Sequence, residues 1–188
     1  MTEESAVVLV VDDEPDVADS YAAFLRDRYA VRTAYGGETA IAELDEDVDV
    51  VLLDRRMPDM FGDEVLEEIR EGGFDCRVAM VTAVDPDVDI IDMEFDDYVV
   101  KPVTREEVLD TVERLLRVTD YERTLREYYR VTRKHVALSD AKGSADLEDD
   151  PEFAALTERR DRLREDLETT AERFVDGDFE TLFSDFAE

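Results

Sequence analysis

Three aspartates and a lysine are the residues of this chain whose types and spacing could do chemistry together. Asp12 and Asp13 close the apolar run Ala6–Val11, Asp54 closes Val48–Leu53, and Lys101 closes Tyr98-Val99-Val100. Thr82 follows a further run, Val78–Val81. Three carboxylates brought to one place repel one another, so such a cluster calls for a hard cation and an incoming anion.

The runs themselves would gather these side chains. Each is short, Val-rich and nearly uninterrupted, which suits a strand covered on both faces in a parallel sheet. Ligands of such sheets bind beyond the carboxyl ends of the strands. Between the runs lie helical patterns, from about Pro15 to Arg28, Glu38 to Asp45 and Asp63 to Glu71, the last stopped by Gly72-Gly73, with a strand near Val31 to Tyr35. Asp85-Pro86 predicts the start of a short helix, aspartate as cap and proline at the first helical position. Thr104 and Glu107 form a capping box for the last helix of this part. The expected class is α/β, a five-stranded doubly wound parallel sheet.

These residues at these positions resemble the receiver domain of two-component response regulators, over Val7 to Val118. The resemblance implies a flavodoxin-like sheet of order 2-1-3-4-5. It also implies that Asp54 accepts a phosphoryl group from the phosphohistidine of a sensor histidine kinase. Asp13, Asp54 and the backbone carbonyl of Arg56 would hold Mg²⁺, with Asp12 acting through water. Lys101 would pair with one phosphoryl oxygen and Thr82 would hydrogen-bond another. Lys101-Pro102 would be a cis peptide bond that aims the lysine at the pocket. Thr82 and Tyr98 would form the switch that reports phosphorylation. Helix capping alone would account for Asp13 before Pro15, but for neither Asp54 nor Lys101. The segment from Thr82 to Lys101 is shorter than usual in the family by roughly one helical turn. That departure bears on the dimer face which many members build from its helix.

The chain has 188 residues, with 53 Asp plus Glu against 22 Lys plus Arg, a formal net charge of −31. The acids are spread along the whole length, and only Lys101, Lys134 and Lys142 are lysines. Acidic, lysine-poor surfaces suit molar salt, where strongly hydrated carboxylates maintain solubility. With a Debye length of roughly 3 Å at 1 M salt, this charge steers no partner from afar. Cys76 is the only cysteine, which excludes an internal disulfide and a cysteine-based metal site. Ala6–Val11, the longest apolar run, is far too short for a membrane span. The expected setting is the cytoplasm of a salt-in halophilic archaeon.

Beyond the receiver, no proline or glycine occurs before Gly143. Val108, Val112, Leu115, Val118, Tyr121, Leu125, Tyr128, Thr132 and His135 or Val136 recur every three or four residues, which predicts one helix running on to about Leu138. The domains are therefore expected at 1–118 and 119–188, the second comprising that helix, a linker over 139–149, a helix over 150–175 and a short helix over 178–187. The second stripe, Phe153, Leu156, Leu163, Leu167 and Phe174, is interrupted by Arg160, while Phe179, Leu182, Phe183 and Phe186 mark the last piece. This tail resembles the HalX domain found after receivers in halophilic archaea.

Two heptad-like stripes predict an antiparallel hairpin or a dimeric coiled coil. Arg123, Arg126, Arg130, Arg133 and Lys134 add a basic stripe, which two readings explain. They would contact DNA phosphates or an acidic partner, or they would pair with Glu158, Asp161, Glu165 and Glu168 of the second helix or of a dimer mate. No helix-turn-helix is evident. A homodimer through the C-terminal helices is the expected assembly, and no enzymatic activity is expected beyond gain and loss of phosphate at Asp54.

Overall fold

The computed structural model describes residues 5–141, 147 and 150–177, and the side chains of 5–140, 147 and 150–171. Two compact units divide at Leu116 and Arg117.

In the first unit, β1 (Val7–Val11), β2 (Ala30–Ala34), β3 (Val48–Leu53), β4 (Arg77–Thr82) and β5 (Asp97–Val100) alternate with α1 (Pro15–Leu25), α2 (Gly37–Glu43) and α3 (Gly62–Glu71). All pairings are parallel, in the order β2-β1-β3-β4-β5. Alternate residues of each central strand bury on opposite faces, which is why the strands read as unbroken apolar runs. Leu9, Val11, Val51, Leu53, Val78 and Met80 pack with Ala40, Val65, Leu66 and Ile69 of α2 and α3. Val8, Val10, Val50, Leu52, Ala79 and Val81 pack on the other side with Ala18, Tyr21, Ala22 and Leu25 of α1. Val108, Val112 and Leu115 join that side from α4 (Arg105–Ala141).

Local chemistry sets the boundaries. Pro15 opens α1, and the helix stops at Leu25 rather than Arg28 once its last apolar residue is buried. At α4 the capping box forms as expected: Glu107 Oε2 accepts from Thr104 N and Oγ1, both at 2.7 Å, and Thr104 Oγ1 accepts from Glu107 N at 3.3 Å.

The helix expected from Asp85-Pro86 is absent. In its place stands a single 3-10 turn, Val88–Ile90, capped by Asp87 Oδ1 accepting from Val88 N at 2.7 Å. Val88 is 76 % and Ile91 75 % exposed. A short helix without a docked apolar face does not repay its nucleation cost.

In the second unit, Arg117 onward, the rest of α4 and α5 (Pro151–Gly177) form an antiparallel hairpin. Arg159 Nε donates to Glu127 Oε1 at 2.9 Å, and the His135 ring lies 4.7 Å from that of Phe153. Positions rising on one helix thus meet positions falling on the other. His135 is therefore a seam residue, also touched by Arg160 Nη1 at 3.2 Å from Nε2. Arg160, the polar break in the stripe, bonds its neighbour Asp161 at 2.7 Å.

Two details of the tail differ from expectation. Val131 is buried while Leu125 is 45 % exposed, because the distal half of α4 faces α5 rather than continuing the proximal stripe. The helix also continues through Ser139 to Ala141, into residues read as linker; Ser139 Oγ donates to His135 O at 2.9 Å, so its hydroxyl is satisfied within the helix. Leu147, in the same polar stretch, is buried. The short helix expected over 178–187, with Phe179, Leu182, Phe183 and Phe186, lies outside the described residues.

Candidate functional site

Strand register brings the singled-out residues to one sheet edge. Val11 is level with Ala34 and Leu53, Leu53 with Met80, and Thr82 with Val100. Main-chain bonds continue one residue past the strands: Asp12 N to Ala34 O at 3.1 Å, Asp54 N to Val11 O at 2.9 Å and Lys101 N to Thr82 O at 2.8 Å. The backbones of Asp12, Asp54 and Lys101 are thereby fixed before their side chains make any contact.

Lys101 Nζ sits between two carboxylates, donating to Asp12 Oδ2 at 2.6 Å and Asp54 Oδ2 at 3.0 Å. Asp12, Asp54 and Thr82 are buried, with Asp13 half-buried beside them. Oxygens of Asp12, Asp13 and Asp54 all lie within 4.8 Å of one another. Burial pushes the Asp12 carboxyl above its usual range against the pull of Lys101 and of the Glu14 N–H. Burial also opposes the charge on Lys101, but the bonds to Asp12 and Asp54 outweigh it and hold the ammonium above its usual value. One half-buried cation facing three acidic groups leaves the cluster short of positive charge. Its donors are hard carboxylate oxygens, the set that fits a small divalent cation.

The neighbouring elements close around Asp54. Gly62, at the start of α3, approaches so near that a Cβ there would lie 2.2 Å from Asp54 O. Arg56 presents its N–H to Asp54 Oδ1 at 3.4 Å. The Lys101-Pro102 bond is cis. Thr82 Oγ1 accepts from Val84 N at 3.4 Å, and Tyr98 Oη donates to Val84 O at 2.8 Å, so both residues meet on one short segment. The Tyr98 ring lies 5.5 Å from that of Phe95.

Sequence reading overlooked Arg55, next to Asp54. Its guanidinium bonds Asp63 through Nε at 3.0 Å and Nη2 at 3.1 Å, and Asp89 through Nη2 at 2.5 Å. The only available signal was an arginine beside the cluster, with nothing local to indicate its partners.

The basic residues of the tail are not part of this cluster. Arg123 pairs with Asp120 of its own helix at 2.7 Å. Arg126, Arg130, Arg133 and Lys134 are exposed and form no ion pair among the described residues. Among the described residues, pairing with Glu158, Asp161, Glu165 and Glu168 is thus not found. Asp161 is taken by Arg160, and Glu168 by Arg164 at 3.7 Å.

Comparison with known proteins accords with this geometry. The family model of the response regulator receiver domain matches residues 8–113, and that of the HalX domain matches residues 117–183. A putative transcriptional regulator of Haloferax volcanii is 55 % identical over 158 residues, 84 % of this chain and 26 % of its own length. The chain spans between a quarter and about half of the length of the curated relatives it matches. Among solved structures, the signal receiver domain of a putative Luxo repressor protein from Vibrio parahaemolyticus aligns with a TM-score of 0.60 and 25 % identity, over 64 % of this chain and 97 % of its own. The response regulator TrrA of Thermotoga maritima, solved with Mg²⁺ and BeF, aligns with a TM-score of 0.50 and 32 % identity, over 58 % and 97 %. Sheet order, clustered carboxylates and family match together establish that this chain belongs to the response regulator receiver family, its receiver domain followed by a HalX domain.

Proposed function

We propose that the chain is the response regulator of a phosphorelay, phosphorylated on Asp54 by a sensor histidine kinase, and that its helical domain carries the output in transcription regulation. The observation that carries this reading is Lys101 Nζ bonded to both Asp12 and Asp54 at the sheet edge, with Asp13 adjoining. An oxygen of Asp54 attacks the phosphorus of the phosphohistidine; the P–N bond breaks as the P–O bond forms, and the imidazole keeps the electron pair.

Asp13 and Asp54 would hold Mg²⁺, with the carbonyl of Arg56 as a third protein oxygen and Asp12 acting through water. Bound there, Mg²⁺ offsets the charge that builds up as a phosphoryl group meets a carboxylate. Lys101 turns from Asp54 to a phosphoryl oxygen and Thr82 donates its hydroxyl to another. Tyr98, tied to Thr82 through Val84, follows that movement. Catalysis by the chain is confined to its own phosphoryl uptake and loss.

Acidic composition and the Haloferax relative support a working place in the cytoplasm of a salt-in halophile. Among the described residues, no helix is long and apolar enough to cross a membrane. For the output, exposed Leu125, Tyr129 and Val136 on distal α4 support a homodimer through the C-terminal helices. A second reading is direct DNA binding, favoured by the absence, among the described residues, of ion pairs at Arg126, Arg130, Arg133 and Lys134.

The test of the primary reading is intact-mass analysis of the full chain after acetyl phosphate, with and without Mg²⁺. One phosphoryl group, on Asp54 and only with the metal, is expected; a label elsewhere overturns the assignment. For the output, sedimentation across a salt series with and without duplex DNA separates self-association from nucleic-acid binding.

A further inference from the structure

Between β4 and β5 stands a single 3-10 turn, and the segment packs on the core only through Met93 and Phe95 at its far end. Its 3-10 turn buries no side chain, and the apolar residues Val88 and Ile91 face outward. What reaches the 3-10 turn itself is a guanidinium. The Arg55 side chain is only 11 % exposed and spans two places. It forks onto Asp63 in the first turn of α3 and reaches Asp89 in the 3-10 turn. At the other end of the same segment the Tyr98 hydroxyl holds Val84 O, and the Val84 N–H faces Thr82 Oγ1. Arg55 itself is anchored, since its carbonyl accepts from Gly62 N at 2.8 Å and its chain leads directly from Asp54.

We infer that Arg55 is a positioning residue that latches the resting state: its fork onto Asp63 holds the Val84–Ile91 segment, which Tyr98 also grips at Val84, through Asp89. The inference rests on the reading of Asp54 as phosphoacceptor and Tyr98 as its follower. A planar fork suits this task because each acceptor takes a fixed edge of the group, which a lysine cannot reproduce. Phosphorylation moves Thr82, and with it Val84, against this latch, so the strength of the Arg55 contacts sets how much of the unphosphorylated protein already occupies the switched arrangement.

The experiment is hydrogen–deuterium exchange of the full chain, with and without beryllofluoride and Mg²⁺, comparing wild type with Arg55→Gln, Arg55→Lys and Asp89→Asn. Asp89→Asn guards against misfolding, because that side chain is 55 % exposed. In wild type, beryllofluoride is expected to raise exchange over residues 84–93. Without the anion, Arg55→Gln and Asp89→Asn should each raise it about tenfold, the scale of one lost charge-assisted hydrogen bond, with little further response to the anion. Arg55→Lys should fall between. Exchange at the wild-type rate in Asp89→Asn, or a rise in Arg55→Gln spread equally over β1, β3 and β4, would overturn the latch. A wild type that ignores beryllofluoride would instead remove the phosphoacceptor reading, while the anion-free comparison still decides whether Arg55 holds the segment.

Discussion

The receiver and the helical hairpin handle charge in opposite ways. At the sheet edge, Asp12 and Asp54 are buried, fixed by main-chain bonds and bridged by a single ammonium. In the hairpin, the buried residues among those described are Val131, Leu147 and Leu167, and its arginines lie on outward or seam-edge positions. A sheet covered on both faces surrounds a side chain from several directions, so it can hold unfavourable charges in place for chemistry. A two-helix hairpin has one seam, and whatever else it does must be done by its outer faces.

The largest expected effect breaks the comparison on the receiver side. Asp54→Asn should reduce Mg²⁺-dependent labelling by acetyl phosphate to background, and Asp13→Ala should weaken it on the order of ten- to a hundredfold, the range seen when a metal's surroundings are disturbed. Both are read by intact mass. Leu167→Ala attacks the seam instead. It should cost the hairpin about 2 to 5 kcal/mol, measured by denaturant unfolding followed through helical circular dichroism, while labelling of Asp54 proceeds at the wild-type rate. Loss of labelling in this variant would show that the two regions do not act independently.

A smaller effect sharpens the contrast in burial. Because the folded-state pKa of Asp12 is raised, its ionisation opposes folding at neutral pH, and that opposition fades as pH falls through the raised value toward the ordinary carboxylate range. Asp12→Asn should therefore raise Tm by a few degrees at pH 7 without Mg²⁺, with the gain shrinking on acidification. A lowered Tm would mean that the bond to Lys101 dominates. The raised pKa of Lys101 acts in the alkaline range: its stabilisation is complete below the usual ammonium value and disappears as pH rises through the folded one.

The smallest effect concerns the outer face of α4. Replacing Arg126, Arg130 and Arg133 with Gln should change the stability of the hairpin by no more than about 0.5 kcal/mol, since these residues form no ion pair with the described side chains of α5. Dimer dissociation or DNA affinity should change instead. A marked fall in stability would favour the reading in which they bridge helices.

Much of the fold was legible because its signals are local. Val-rich runs ending in Asp12, Asp54, Thr82 and Lys101 announced strands with a polar edge, and Thr104 with Glu107 announced a helix start. The 3-10 turn was misread because Asp85-Pro86 satisfies the rules for starting a helix, whereas survival of a helix depends on a face to bury. Leu125 was misplaced and Val131 missed for a related reason: several helical phases fit an apolar stripe, and the neighbouring helix selects one.

Sequence alone determined which residues are chemically capable and in what order the strands and helices alternate, because strand burial and helix capping depend on residues near one another in the chain. The tertiary structure decided that Lys101 bridges Asp12 and Asp54, that Arg55 joins Asp63 to Asp89, and that Arg160 meets His135. Each of these contacts depends on strand register, on the approach of a loop or on the phase of a helix, which arise only when distant segments pack and compete for the same space.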